Sequence, residues 1–355
     1  MKILYISNAR IPTEKAHGIQ IMKTCEAFAK LGHDVTLLIP KRLNHIKDDP
    51  FSFYDVDRIF KIKKTYTVDV VRFGKCGFLT QIISFSLCAM WYPLFQKHDL
   101  VYSRDEMPLS FAALFNKNIL YEAHMPRLNM FTKRFKRMVV ISSGLKDFYT
   151  EQGMKTENIL VAHDAVDLEE FDVEINKNDI RKKLGIPVDA KVAMYIGRLD
   201  KWKGVETLLK ASELMDDIQV VVVGEGELQD YLKITYKKAL FLGPLPYRDL
   251  AKNQRAADVL VIPNSKESKI STLYTSPLKV FAHMASEVPI VASDLPSLRE
   301  VLHENNSTLV ESDNPVAFVE GIRLALNKDG KRAKMDVQAF TWIKRTESIV
   351  VFSNI

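Results

Sequence analysis

The sequence predicts an α/β fold with two parallel-sheet domains, on three observations. Short β-branched runs alternate with helical patterns from one end of the chain to the other. Several of those runs are continuously apolar, without the in/out alternation of a half-exposed sheet, as strands covered on both faces require. At 355 residues the chain exceeds what one ordinary core organises.

The elements follow in order. In the first half the predicted strands are KILYIS (2–7), DVTLLI (34–39), VDVVRF (68–73), DLVYS (99–103), NILYEA (118–123), MVVIS (138–142) and NILVAH (158–163). Between the first two, Ile21, Thr24, Cys25, Phe28 and Leu31 recur at helical spacing, and Gly32 supplies a stop. The second half repeats the scheme with KVAMYIG (191–197), IQVVVVG (218–224), ALFLG (239–243), DVLVIP (258–263), PIVAS (289–293) and STLVE (307–311). Each block has the size and alternation of a Rossmann-like βαβ domain. The acidic stretch 164–179 lacks apolar periodicity and marks the boundary, giving domains 1–168 and 169–337. The last segment, FTWIKRTESIVVF, is helical in pattern and apolar on one side. A helix of about 338–355 is expected to pack back on the first domain. Open parallel sheets bind ligands at the carboxyl ends of their strands, so two such domains are expected to face a central cleft that holds the site.

Nearly half the residues are apolar and a quarter charged, the balance of a soluble globular chain. MKILYIS enters a strand pattern directly, without the basic, apolar and small-residue blocks of a secretory signal. Cys25, Cys76 and Cys88 are odd in number and scattered, which suits reduced thiols and a cytoplasmic location. The net charge is +6. Two clusters stand out, Lys61, Lys63 and Lys64 in KIKK, and Lys133, Arg134, Lys136 and Arg137 in KRFKR. Each reads either as a solvated face or as a peripheral contact with anionic membrane headgroups or an anionic acceptor. No nucleic-acid motif accompanies the charge. The apolar segment 78–96 is interrupted by Gln81, Ser84, Ser86 and Pro93, and reads as a buried or interfacial helix, buried in preference, rather than a membrane span.

The strand ends carry the chemistry. After 191–197, GRLDKWKG offers Arg198 and Lys203, a planar fork and a point charge able to grip a diphosphate and stabilise charge on a leaving phosphate. The bland reading pairs them with Asp200 and Glu206 in a solvated turn. After 218–224, GEGELQ lacks the third glycine of a dinucleotide fingerprint and places Glu225 where pyrophosphate would sit, which argues against NAD. In TSPLK, Thr275 or Ser276 is expected to cap a helix whose first turn holds Pro277 and Leu278; the free amides, the dipole and Lys279 make an anion site. In the first half, Gly18 opens a helix after a long loop and permits close backbone approach to a ligand. Glu122 and His124 stand at a strand end in YEAHMP, where the histidine is either a satisfied structural residue or a group facing the cleft.

Together these stretches resemble glycosyltransferase family 4, the retaining nucleotide-sugar glycosyltransferases of GT-B architecture. The resemblance runs through HGIQIMKTCEAFAKLGHDVTLLIP, VVISSGLKDFY, ILVAHDAVDLEEF, YIGRLDKWKGVETLL, VVVGEGE and SPLKVFAHMASEVPIVASDLPSLREV, and covers essentially the whole chain. It implies a nucleotide-diphosphate sugar on the second domain and a glycan or glycolipid acceptor on the first, in surface polysaccharide or lipopolysaccharide biosynthesis. By its motifs Arg198 and Lys203 bind the diphosphate, Gly18 approaches the phosphate, and His124 lies near the reacting sugar carbon. Ser276, Pro277, Leu278 and Lys279 form the phosphate helix start, and Leu245 in GPLPYRD (243–249) lies beside the base. No cofactor and no metal are implied. The family's two glutamates across this helix correspond to Tyr274 and Ala282; a branch with SPLK commonly lacks the first, and the second usually binds the ribose hydroxyls. Ala282 therefore raises one alternative to a transferase, a nucleotide-sugar-binding protein with weak or no transfer; a GT-B sugar-nucleotide epimerase is a separate, weaker alternative. Ala282 also fits an apolar stripe with Leu278, Phe281 and Ala285.

Overall fold

The structure is a computed structural model and describes residues 1–354. It divides into two compact units, Met1–His163 with the segment from Trp342 onward, and Asp164–Thr341.

The first unit is a seven-stranded sheet of β1 (Lys2–Ile6), β2 (Asp34–Pro40), β3 (Lys61–Thr65), β4 (Leu100–Ser103), β5 (Ile119–Ala123), β6 (Met138–Val140) and β7 (Ile159–Val161). The order is β3-β2-β1-β4-β5-β6-β7, and every pairing is parallel. Its helices are α1 (Ala16–Lys30), α2 (Pro50–Tyr54), α3 (Gly74–Phe95), α4 (Glu106–Ala112) and α5 (Ser143–Glu151). Ile3, Leu4, Tyr5 and Ile6 of β1 are all fully buried, which explains the unbroken apolar run: helices cover both faces, so no position can be polar.

Two expectations are corrected. VDVVRF is not a strand; Val71–Phe73 is a 3₁₀ turn that leads into α3. The third strand is instead KIKKT, the basic run itself, paired with β2 from Thr36↔Lys61 to Pro40↔Thr65. It is an edge strand, and lysines on an edge discourage pairing with other chains, so its pattern is charged rather than apolar. The second correction concerns 78–96. This segment is helical, but only Gln81, Phe85, Ser86, Ala89 and Pro93 are buried on it, while most of its large apolar side chains are exposed.

The second unit holds β8 (Lys191–Ile196), β9 (Ile218–Val223), β10 (Leu240–Gly243), β11 (Val259–Ile262), β12 (Ile290–Ser293) and β13 (Thr308–Val310), all parallel, in the order β10-β9-β8-β11-β12-β13. Around them lie α6 (Lys177–Leu184), α7 (Val205–Ser212), α8 (Gln229–Thr235), α9 (Leu250–Gln254), α10 (Leu278–Ala285), α11 (Pro296–Arg299), α12 (Pro315–Ala325) and α13 (Lys331–Asp336). The chain then returns to the first unit as α14 (Trp342–Ser353), which packs on α1. Val205, Leu208 and Leu209 of α7 and Phe318 and Ile322 of α12 fill the core on one face, and Val280, Phe281 and Met284 of α10 on the other.

In each sheet the first strand of the unit, β1 or β8, lies between the second and a later one. The chain leaves that point in opposite directions, so the loops diverge and open a crevice at the strand ends.

Candidate active site

In the second unit the crevice is built where β8 ends. Gly197 follows the strand and the loop rises through Lys201–Lys203 to Gly204, whose φ is +66°. A Cβ at Gly204 would stand 1.9 Å from the Pro263 carbonyl oxygen, so glycine is required for the β8 loop to pass the end of β11. That passage places Lys203 beside the start of α10. The Lys203 ammonium rests 3.6 Å from the Trp202 ring centre, and the Lys279 ammonium 4.5 Å from that of Tyr195. Burial pushes Lys203 down to about 8, against a partial pull from Asp200. Lys279 is held well below the usual lysine range by burial first and then by the charge of Lys203. The Lys279 Nζ is sealed from solvent and has no hydrogen-bond partner.

Two ammonium groups that repel one another, one without a hydrogen bond and neither in an ion pair among the described residues, are an unfavourable arrangement unless an anion joins them. The start of α10 adds to it. The residue before the helix is Pro277, and no side chain caps the first turn. The expected cap by Ser276 is corrected: its Oγ accepts instead from the Asp164 N–H at 2.9 Å, which ties the chain entering this unit to the helix start. The first amides of α10 thus lack a side-chain partner, and the positive end of the dipole points the same way.

Arg198 is not gathered with the lysines. Its guanidinium donates to Asp200 at 3.0 and 3.3 Å and is mostly exposed. Glu206, the other acid of that turn, accepts from Tyr236 and pairs with Lys210. Leu245 is half-buried against the cluster of Ile196, Val223, Leu240 and Leu242. Leu278 is half-buried, and Ala282 is 4% exposed within the apolar cluster of Phe281, Ala285 and Ile262. The neighbouring His283 is fully buried, lies 3.1 Å from the Gln254 amide through Nδ1, and is pushed down to about 3 by burial and then Lys279. Its other ring nitrogen, Nε2, has no partner. Asn264, at the end of β11, is fully buried with both side-chain polar atoms unpartnered. Sequence reasoning passed over it, although a polar residue closing the apolar run VLVIP was a visible signal.

In the first unit, β5 carries Glu122 and ends just before His124. Glu122 is fully buried and saturated. It accepts from His124 Nε2 at 2.6 Å and Gln20 at 2.7 Å, pairs with Arg345 of α14 at 2.8 Å, and accepts from the Tyr102 hydroxyl. Burial alone would raise this carboxyl, but Arg345 and then His124 hold it well below its usual range. His124 is pushed down to about 4 by burial first and the Arg104 charge second. It is therefore neutral at pH 7. With Nε2–H donating to the carboxylate, Nδ1 is left as an acceptor, an assignment made from the hydrogen bond. Gly18 has a packing reason: a Cβ there would meet the Tyr54 hydroxyl at 2.2 Å and Thr13 Cγ2 at 2.8 Å. Tyr54 in turn pins the loop before α1, donating to the Thr13 carbonyl. Arg345 also escaped sequence reasoning, though Trp342, Arg345, Ile349 and Phe352 lie on one helical stripe and all four are buried.

Comparisons with known proteins bear on the second unit's domain and on the fold. Residues 176–342 match the model of Glycosyl transferases group 1. The chain is 28% identical to an uncharacterized glycosyltransferase of Methanocaldococcus jannaschii, over 58% of this chain and 56% of that one. It is 28% identical to a D-inositol 3-phosphate glycosyltransferase of Corynebacterium diphtheriae, over 49% and 44%. The chain thus spans about half the length of the curated relatives it matches. The crystal structure of Anabaena HepE in complex with UDP-glucose has the same fold, with a TM-score of 0.75 at 15% identity over 100% of both chains. Residues 176–342 thus resemble a group 1 glycosyltransferase domain, and the chain's two parallel-sheet units share the GT-B fold of HepE.

Proposed function

We propose that the chain is a retaining glycosyltransferase that moves a sugar from a nucleotide-diphosphate donor to a glycan or glycolipid acceptor of a surface polysaccharide. One observation carries the reading: Lys203 and Lys279 stand together at the end of β8 and the start of α10, with the Lys279 ammonium unpartnered. A diphosphate supplies the missing negative charge, and the uncapped amides of α10 supply donors. Arg198 adds its fork on leaving Asp200. As the bond from the sugar C1 to the phosphate oxygen breaks, charge grows on that oxygen, where these groups stabilise it. The acceptor oxygen bonds to C1 on the same face and its proton passes to the departing phosphate. His124, neutral and oriented by Glu122, offers Nδ1 to a sugar hydroxyl. No metal enters this scheme, and chelator should leave turnover unchanged.

Isothermal titration with UDP, GDP and ADP tests the donor reading. One of them should bind, and Lys279→Ala should weaken it by about ten- to a hundredfold, the loss expected of a charge-assisted phosphate contact. Absence of binding by all three would end the proposal, and an inverted anomer in the NMR spectrum of the product would end its retaining part. The burial of Ala282 among apolar side chains supports a second reading, in which the donor binds without its ribose carboxylate and turnover is weak. The location we propose is cytoplasmic, peripheral to the inner face of the membrane.

A further inference from the structure

Helix α3 buries polar side chains beside Phe85 and Ala89 and leaves a row of large apolar ones exposed. Its covered face carries Gln81 and Ser86, both fully buried. The Gln81 amide donates to Asn8 at 2.8 Å, and the Ser86 hydroxyl turns back to the Ile82 carbonyl at 2.7 Å. The opposite face is a stripe at helical spacing, Leu79, Ile83, Leu87, Trp91 and Leu94, each between 40 and 51% exposed. It runs roughly 22 Å at 1.5 Å per residue. A helix that met only water would carry the reverse pattern, and an exposed apolar patch of this size marks a contact surface. There is no acidic residue in Gly74–Phe95.

What covers the stripe is indicated by the charge around it. Edge strand β3 packs beside α3 and brings Lys61, Lys63 and Lys64, and Lys61 lies close enough to act on the Tyr92 hydroxyl. Lys75 stands in the first turn of α3, with Arg72 just before it. An apolar stripe edged by cations fits an anionic lipid surface, whereas a second copy of the chain would set these cations against their own kind. Helix α3 is long and apolar enough to cross a bilayer, but α4 covers one side of it and Gln81 on its covered face is bonded within the unit, which favours a place along the surface.

The near end of α3 leads into a cavity. Phe78 forms part of the wall of a space of about 480 Å³ lined also by Arg10, Lys15, His17, Arg42 and Arg104. Its only carboxylate, Asp105, is engaged by the Ser7 hydroxyl at 3.0 Å and the Asn8 N–H at 2.8 Å. His17 is pushed down to about 4 by burial first and then by Arg104 and Lys15. Four cations surround a cavity whose wall continues into α3, and of them Arg42 also pairs with Asp69 at 3.4 Å.

We propose that α3 seats the first unit on an anionic bilayer, and that the adjoining cavity receives the anionic head, a phosphate or diphosphate, of a lipid-linked acceptor. The second half rests on the reading of this unit as the acceptor side. Flotation of the full chain with phosphatidylcholine vesicles, with and without phosphatidylglycerol, tests the surface. Binding should require phosphatidylglycerol and shift Trp91 emission to the blue. Leu87→Glu with Trp91→Glu should abolish it, and Lys63→Glu with Lys64→Glu should weaken it about tenfold or more. Equal flotation on both vesicles, or flotation that survives the Leu87 and Trp91 changes, overturns the surface. So does self-association that the same pair dissolves in the absence of flotation. For the cavity, short-chain phosphatidic acid below its micelle concentration should move the His17 imidazole resonances and raise its pKa, short-chain phosphatidylcholine should not, and Arg42→Gln should remove the response. No response to phosphatidic acid overturns the cavity assignment. Titration of the same proteins with UDP, GDP and ADP separates the readings: flotation without binding of any of the three sinks the donor site alone, and nucleotide binding without flotation sinks the bilayer contact alone.

Discussion

At the scale of single residues, the donor-free protein holds Lys203 at about 8, below its value in an unfolded chain. Between those two values the unfolded chain binds the extra proton, so stability should rise as pH climbs from 8 to the ordinary lysine range. A diphosphate reverses the preference, since it favours the ammonium. Donor affinity should fall by up to about tenfold per pH unit above 8, with proton uptake on binding near that pH, measurable by titration calorimetry in buffers of different ionisation enthalpy. Affinity independent of pH from 7 to 9.5 would remove Lys203 from the phosphates. Ala282→Glu supplies a further test. If the position faces the ribose, donor binding should tighten about tenfold or more, the worth of a hydrogen bond to a charged group, and the melting temperature should fall because the carboxylate enters an apolar cluster. A lower melting temperature with unchanged affinity would show that the position only packs.

At the scale of elements, α14 matters through one side chain. Arg345 is 5% exposed and neutralises Glu122 in the middle of the first unit. Arg345→Met should cost about 3–5 kcal/mol of stability, as breaking a buried pair from one side does. It should also move a proton. Facing His124 and Glu122 are Arg104, Arg345, His17, Tyr102 and Tyr5. Without Arg345 the carboxylate's remaining route to neutralisation nearby is an imidazolium, so the His124 pKa should rise from about 4 toward neutral, visible in its ring resonances, and turnover should be lost as pH falls through the new value. Arg345→Lys should restore most of the original titration. A purely structural role would lower stability without moving His124. The sequence displayed α14 as a one-sided helix, but not that its arginine meets a glutamate more than two hundred residues away. Likewise β3 was hidden because an edge strand is under pressure to be charged, and the exposure of α3 was hidden because an apolar segment looks the same whether protein or lipid covers it.

At the scale of the whole molecule, the first unit is discontinuous, closed by the segment from Trp342 onward. A chain ending at Thr341 should lose Arg345 from Glu122 and Phe352 from the Arg137 guanidinium. The first unit should then unfold at lower denaturant while the second keeps its transition, seen as two steps in a urea titration followed by circular dichroism. A single unshifted transition would deny α14 that role. The sequence by itself determined the class of architecture, because apolar period and turn residues act locally and suffice to specify parallel strands alternating with helices. It also made Arg198, Lys203, His124 and the start of α10 visible as strand-end chemistry. Only the tertiary structure decided which of these residues meet. Lys203 joins Lys279, Arg198 turns to Asp200, Ser276 holds Asp164, and Glu122 is shared by four elements. The reason is physical: burial and pairing set the charge and reach of a side chain, and both depend on groups distant in sequence that the fold alone brings together.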